Sequence, residues 1–313
     1  MRFINEFQEG ENIVGHYLCR KREVMKTKNG RNYMSLLLFD KTGSINTKVW
    51  NLGNNIQSFE AGDFIKVEGM VVIFNEELQF NVIKIRKSVA GEYLPADYIP
   101  TGEKAVSEIK EELLELVESI NNKYLSELLR ALFVENKQLS SEFFRQSAAK
   151  SMHHSYMGGL CEHTLSVAKI CDFLALRYKN VNRDLLISAA LLHDIGKIYE
   201  LSGFPTNVYT DDGQLIGHII IGYELIAKEI EKIEDFPHTL KSLLLHCILS
   251  HHGKYEYGSP KLPKIIEACI LSYADITDAH IKSFEEALEK TTPNSNWTSY
   301  NRSFEGELRR STI

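Results

Sequence analysis

The sequence predicts a multidomain chain: a small N-terminal β-barrel, then an all-α domain that carries one short β-hairpin. Three observations predict it. Residues 13–88 break into five short runs rich in β-branched and aromatic residues, separated by glycine-marked turns. From residue 104 onward apolar residues recur at helical spacing instead. Ten of the eleven histidines lie between His153 and His280, in the helical part alone. A length of 313 residues suits two domains. The expected division is a barrel over 1–90, a linker and helical adaptor over 91–148, the histidine-rich domain over 149–290, and a tail over 291–313.

Residues 1–12 read as a lead-in. Strands are expected over 13–25, 33–40, 44–51, 64–74 and 78–86. The intervening turns are marked by Asn29-Gly30, Lys41-Thr-Gly43, Ala61-Gly62-Asp63 and Asn75-Glu76-Glu77. The longest connection follows the third strand, the order of an OB-fold. Such barrels hold single strands by stacking bases on aromatic rings beside a basic groove. Residues 1–90 carry 13 Lys and Arg against 10 Asp and Glu. Six of those cations, Arg20, Lys21, Arg22, Lys26, Lys28 and Arg31, stand close together against only Glu23. They form a basic loop suited to phosphates, or else a solvated hairpin tip. Tyr33, beside that loop, and Trp50 are the favoured stacking rings. Phe39, Phe74 and Phe80 are the other candidates, most of these rings being expected in the core.

Gly91, Pro95, Pro100 and Gly102 mark the linker. Val106, Ile109, Leu113, Leu116, Val117 and Ile120 then form one apolar stripe, and shorter helices follow over 124–133 and 140–149. Beyond 149 everything reads as helix except a hairpin over 208–215, whose Asp212-Gly213 suits a tight turn. The tail loses periodicity and reads as frayed, with a basic arm reaching toward the active site as the lesser alternative.

The chain is organised around His193-Asp194-Ile195-Gly196, which closes an apolar helix over 185–192. One reading is a helix end with Gly196 as its C-terminal cap. The surroundings favour another. His163 shares a helical face with Val167, Ile170 and Leu174. His251 and His252 close a second apolar helix over 243–249. His218 follows the expected hairpin. Asp275 is in register with Ala268 and Leu271. Six inward-facing His and Asp groups are costly to bury unless a cation neutralises and orients them. Imidazole and carboxylate donors without thiolates leave the metal open to Mn, Fe, Co or Zn.

The ordered set His163, His193-Asp194, His218, His251-His252 and Asp275 resembles the HD-domain metal-dependent phosphohydrolase superfamily in its two-metal form. The stretch His153-His154-Ser-Tyr-Met-Gly-Gly-Leu-Cys-Glu-His163 resembles that family's first-helix signature. The resemblance implies Asp194 as bridging carboxylate. It places His163, His193 and Asp275 on one metal, and His218 with His251 on the other. His252 is a substitute or co-ligand that spacing alone does not separate from His251. Two cations a few ångströms apart can activate a hydroxide and stabilise the leaving oxygen of a phosphodiester. Lys197 is positioned to meet a substrate phosphate or to serve as a helix-end charge. His153 and His154 are candidates for phosphate contact or proton donation, or for packing at a helix start. Asp278, one turn past Asp275, is a further candidate for reaching substrate. His238, His246 and His280 read as structural or surface residues.

The barrel joined to this helical domain resembles the bacterial YhaM-type 3'-5' exoribonuclease family over nearly the whole chain. The match includes Leu249-Ser-His-His-Gly-Lys254, Gly258-Ser-Pro260 and Asn301-Arg-Ser-Phe304. The resemblance implies a Mn-dependent enzyme that removes 5'-mononucleotides from the 3' end of single-stranded RNA, with single-stranded DNA as a further substrate. Two alternatives stand beside it. One is a phosphohydrolase of nucleotides or cyclic dinucleotides, which suits the net charge of −6 but leaves the barrel without a role. The other is a single-strand-binding protein with an inactive hydrolase domain.

Composition excludes several classes. No apolar run approaches the ~20 residues that span a bilayer, so no membrane partner is expected. The mixed, acidic N-terminus is no signal peptide. Five cysteines without a Cys-x-x-Cys pair read as reduced, mostly buried residues of a cytoplasmic protein. No Gly-rich phosphate loop or Gly-x-Ser-x-Gly element is present. Apolar helices leave homo-oligomerisation open, but no heptad pattern specifies it.

Overall fold

Alternation of apolar and polar residues sets the N-terminal strands, and a β-bulge in the first of them helps the sheet close. In the computed structural model, which describes residues 2–27, 29–53, 55–75, 77–94, 97–98, 105–149, 156–203, 207–289, 291 and 295–311, the strands are β1 (Asn12–Lys26), β2 (Asn32–Asp40), β3 (Gly43–Val49), β4 (Phe64–Phe74) and β5 (Glu77–Lys87). They form a closed barrel in the order β1-β2-β3-β5-β4. The first half of β1 pairs with β4, from Asn12↔Met70 to Leu18↔Phe64. Its second half pairs with β2, from Leu18↔Phe39 to Lys26↔Asn32. The register shift between Cys19 and Lys21 lies at the changeover, where a bulge bends a long strand from one neighbour to the next. β3 and β5 complete the ring in parallel at Asn46↔Gln79 through Lys48↔Asn81. Tyr17, Leu36, Leu38, Ile65, Val67, Val71 and Phe80 fill the interior. At Gly69 a Cβ would stand 2.2 Å from the carbonyl oxygen of Asn81. Only glycine fits the irregular pairing of β4 with β5 there.

Two compact units divide the chain, one ending at residue 101 and the other covering 102–203 and 207–313. Segment 92–98, read as linker, has two tyrosines on the barrel's outer wall. Tyr93 stacks on Phe64 with ring centroids 4.1 Å apart, and the buried Tyr98 donates a hydrogen bond to the carbonyl of His16 at 2.9 Å.

The second unit comprises α1 (Val106–Glu118), α2 (Lys123–Arg130), α3 (Lys137–Arg145), α4 (Gly159–Arg177), α5 (Arg183–Leu192), α6 (Lys197–Glu200), α7 (Asp211–Leu215), α8 (His218–Ile230), α9 (His238–Ser250) and α10 (Ile266–Glu289). Asparagines start three of them: Asn122, Asn136 and Asn182 each accept hydrogen bonds from the first-turn amides of α2, α3 and α5. Every residue of α5 from Leu185 to Leu192 is buried. This helix packs on α4, α9 and α10, so its C-terminus is delivered to the centre of the unit. Helices α1 to α3 share one hydrophobic core with α4, α5 and α8 to α10.

Two expectations are corrected. The hairpin over 208–215 reduces, among the described residues, to one bridge between Leu201 and Tyr209. Asp211–Leu215 is helix, because the Thr210 hydroxyl accepts from the amide of Gly213 at 2.9 Å and two aspartates occupy the first turn. A helix cap outcompetes the Asp-Gly turn. The tail is folded over 295–311 rather than frayed: Trp297 bridges Arg309 and Asn301 bridges Gly306, Leu308 is buried, and the Arg310 guanidinium donates to the carbonyls of Leu288 and Thr291. Phe304 rests on Phe284 with centroids 5.1 Å apart. Phe284 lies nine residues beyond Asp275, half a turn out of phase at ~100° per residue. The tail therefore packs on the face of α10 opposite that aspartate, not toward the site.

Burial pushes the thiols of Cys19, Cys161 and Cys247 up to about 12 and that of Cys171 upward as well, while Cys269 is exposed. The native protein is therefore expected to show one fast-reacting thiol toward a disulfide reagent, and four more only on unfolding. A second fast thiol would contradict this packing.

Candidate metal centre

The candidate ligands come from the ends of α5 and α9, the first residue of α8, the first turns of α4 and the middle of α10. Five imidazoles among the described residues meet there, and each is locked through Nδ1. His193 and His251 donate Nδ1–H to carbonyls three residues back, Ala190 at 2.8 Å and Ile248 at 2.7 Å. His252 donates to the carbonyl of Tyr257 at 2.8 Å. A carbonyl only accepts, so the proton of each neutral ring sits on Nδ1 and the Nε2 lone pair points inward. Carboxylates do the same for the others: Glu200 Oε1 lies 2.9 Å from His218 Nδ1, and Asp278 Oδ2 lies 2.6 Å from His163 Nδ1.

The Nε2 atoms fall into two groups. His163, His193 and Asp275 offer ligand atoms within 4.8 Å of one another, and so do His218, His251 and His252. Asp194, 2% exposed, stands between them. Its Oδ2 lies 3.4 Å from His193 Nε2 and 3.6 Å from His163 Nε2. Its Oδ1 lies 3.4 Å from His218 Nε2 and 3.7 Å from His251 Nε2. Asp194 Oδ1, His218 Nε2 and His251 Nε2 are buried without a hydrogen-bond partner among the described residues. Three lone pairs facing one point are mutually repulsive unless a cation sits between them, so the donor set fits divalent metal.

Electrostatics agree. Burial favours a neutral Asp194, but Lys197 and the surrounding histidines hold its carboxyl well below the usual range. The Lys197 ammonium lies 2.7 Å from Asp194 Oδ2. Burial, with His252 and His193 nearby, keeps His251 neutral. Burial opposes charge on His163 too, yet Asp275 and Asp278 raise it to about 9. A cation in that group displaces this proton.

Gly196 is not the cap that the alternative reading required. Its φ of −63° is ordinary helix. It is glycine because a Cβ would stand 2.1 Å from the carbonyl oxygen of His218 and 2.6 Å from the amide of Gly222. The start of α6 thus presses directly on the first turn of α8, fixing His218 beside Asp194.

A model of the HD domain matches residues 160–280, and one of an OB-fold nucleic acid binding domain matches residues 21–87. The chain is 32% identical over 292 residues to the 3'-5' exoribonuclease YhaM of Geobacillus sp. (strain WCH70), covering 93% of this chain and 89% of that one. It is 33% identical over 294 residues to that of Shouchella clausii (strain KSM-K16), covering 93% and 90%. It is also 33% identical over 293 residues to that of Bacillus pumilus (strain SAFR-032), covering 93% and 92%. The chain belongs to the YhaM family.

The barrel face of this YhaM-family protein is less uniform than its sequence. Residues 20–26 are strand, not loop, so their side chains diverge. Arg20 lies flat on Phe39 at 3.7 Å with two of its nitrogens buried. Arg22 faces Phe59 and Glu60. Lys21 pairs with Glu23 at 2.8 Å. Lys26 and Arg31 are exposed. Tyr33 and Trp50 come together, stacked with centroids 4.9 Å apart. The Lys48 ammonium stands over the Tyr33 ring at 5.6 Å, and Trp50 donates to Asn81 Oδ1 at 3.1 Å. Lys28, His153 and His154 lie outside the described residues. Of the histidines set aside, His246 accepts from the amide of Lys264, and His280 lies beside Phe304.

Sequence reasoning missed Glu200 and placed Asp278 on substrate rather than on His163. Glu200 also accepts from the backbone amide of His218 at 3.1 Å. Its only sequence signal is its place three residues past Lys197. Glu200→Ala is expected to weaken divalent-metal affinity by roughly 10- to 100-fold, read by competition with a chromophoric chelator. Unchanged affinity would remove Glu200 from the support of His218.

Proposed function

We propose that this protein is a 3'-5' exoribonuclease that hydrolyses single-stranded RNA to 5'-mononucleotides with two divalent cations. Asp194 would stand between them, with His163, His193 and Asp275 available to hold one ion and His218, His251 and His252 the other. The convergence of unpartnered buried donors on the two sides of Asp194 carries this reading. The relatives named 3'-5' exoribonuclease supply its substrate class and polarity. We favour manganese on the family resemblance, the imidazole and carboxylate donors being equally open to Fe, Co and Zn. Five unpaired cysteines favour the cytoplasm.

Cations held there would supply positive charge to a phosphodiester and make a water acidic at neutral pH. The chain's own groups do the rest. The Nδ1 locks keep five rings oriented without reorganisation. Lys197, anchored on Asp194, keeps two further protons for a phosphate oxygen and neutralises part of the charge that develops during hydrolysis. On the barrel, the Tyr33–Trp50 stack with Lys48 supplies an aromatic, cationic surface for unpaired bases, in DNA as in RNA.

The test is a 5'-labelled single-stranded RNA incubated with Mn or with chelator. Wild type is expected to give a ladder shortening from the 3' end that disappears with chelation and in Asp194→Ala. Intact RNA that shifts on a native gel would favour a binding protein. RNA neither cut nor shifted would favour a small-molecule phosphohydrolase. Separately, Trp50→Ala is expected to weaken single-stranded RNA binding by at least fivefold while metal content stays unchanged. Equal affinity would remove Trp50 from the strand-binding surface.

A further inference from the structure

We infer that the loop following His252 is a nucleotide subsite of the active site, in which the Tyr257 ring stacks on a base near the RNA 3' end and Lys254 meets an adjacent phosphate. This rests on the exoribonuclease reading and names where that substrate is held.

The loop is attached to the candidate metal centre by one ring. His252 offers Nε2 to the group formed with His218 and His251 and uses Nδ1 to hold the carbonyl of Tyr257 at 2.8 Å. A single imidazole therefore separates the loop backbone from the metal-ligating atoms. The turn itself is rigid. Tyr255–Tyr257 forms one turn of 3-10 helix. Tyr257 N donates to Lys254 O at 3.1 Å, Gly258 N to Tyr255 O at 3.0 Å, and Ser259 N to Lys254 O at 3.2 Å. Gly258 closes the turn at φ +82°. Ser259 is buried, and Lys261 N reaches the Leu249 carbonyl at the end of α9.

This well-braced turn nevertheless presents its large rings to solvent. Tyr255 is 65% exposed and Tyr257 53%, so neither ring is there to fill a core. The Lys254 ammonium stands 5.3 Å over the Tyr257 ring, a cation and a flat π-face side by side. Charge points the same way. Residues 91–313 carry 23 Lys and Arg against 32 Asp and Glu, yet 252–264 holds Lys254, Lys261 and Lys264 against Glu256 alone. A basic, aromatic rim on an acidic unit, beside a centre suited to phosphodiesters, matches a single-stranded nucleic acid: rings take bases irrespective of sequence, and ammonium groups take the backbone.

The test compares wild type with Tyr257→Ala, Tyr257→Phe and Lys254→Gln in the full-length, Mn-loaded protein. Steady-state kinetics are measured on single-stranded RNA and on glycerophosphoethanolamine, a phosphodiester with no aromatic ring to stack, and bound metal is counted. Tyr257→Ala is expected to raise KM for RNA at least fivefold with kcat near wild type, to leave turnover of the small diester unchanged, and to retain its metal. Tyr257→Phe should stay within twofold on RNA, because the ring survives. Lys254→Gln should raise KM for RNA and make its salt dependence shallower, because one phosphate contact is lost. An RNA KM for Tyr257→Ala within twofold of wild type overturns the subsite. So does an equal loss on both substrates with loss of metal, which would make the loop only a brace for His252. Wild type that leaves RNA uncut overturns the exoribonuclease reading itself, an outcome distinct from either.

Discussion

A buried carboxylate with two differently occupied sides governs the helical unit. Asp194 faces His163 and His193 through one oxygen and His218 and His251 through the other. Taking a charged carboxylate out of water is costly, and Lys197 compensates on one side only. The other oxygen has no donor among the described residues. The folded chain is thus left with an electrostatic deficit shaped for a cation. Helix α5, buried all round from Leu185 to Leu192, brings that residue to the centre, and α4, α8, α9 and α10 each bring one or two complementary groups.

The barrel solves a different problem, that of sheet edges. One fifteen-residue strand serves two neighbours by bending at a bulge, and a parallel β3–β5 pairing removes the last free edge. The bend also decides which of the clustered cations remain in solvent. It turns Arg20 onto Phe39 and leaves Lys26 and Arg31 outside.

Much of this was legible in the sequence, for physical reasons that differ by element. All five strands were readable to within two residues because alternation and glycine turns are local signals. The metal-ligand candidates were readable because a His-Asp pair and a His-His pair closing long apolar runs have no ordinary packing role. Other features depend on distant partners. Nothing adjacent to Glu200 announces a bond to His218, and Asp278 reads as a candidate for reaching substrate until α4 is placed beside it. The Thr210 cap and the Asp212-Gly213 turn are both sound local readings, and only the fold selects the cap. The tail was illegible because isolated bridges and an arginine on two carbonyls leave no periodic trace.

Gly196 gives the His-Asp-x-Gly signature a meaning beyond chemistry. Its hydrogen atom is the contact surface between two helices whose ends carry Asp194 and His218. A methyl group there would press on the backbone of His218, twenty-two positions later, and wedge those ends apart. The first and second letters of the motif hold charge and lone pairs, whereas the fourth sets a length. The spacing of the cluster is therefore gauged by the thickness of a bare backbone, the smallest distance at which two polypeptide segments can lie together.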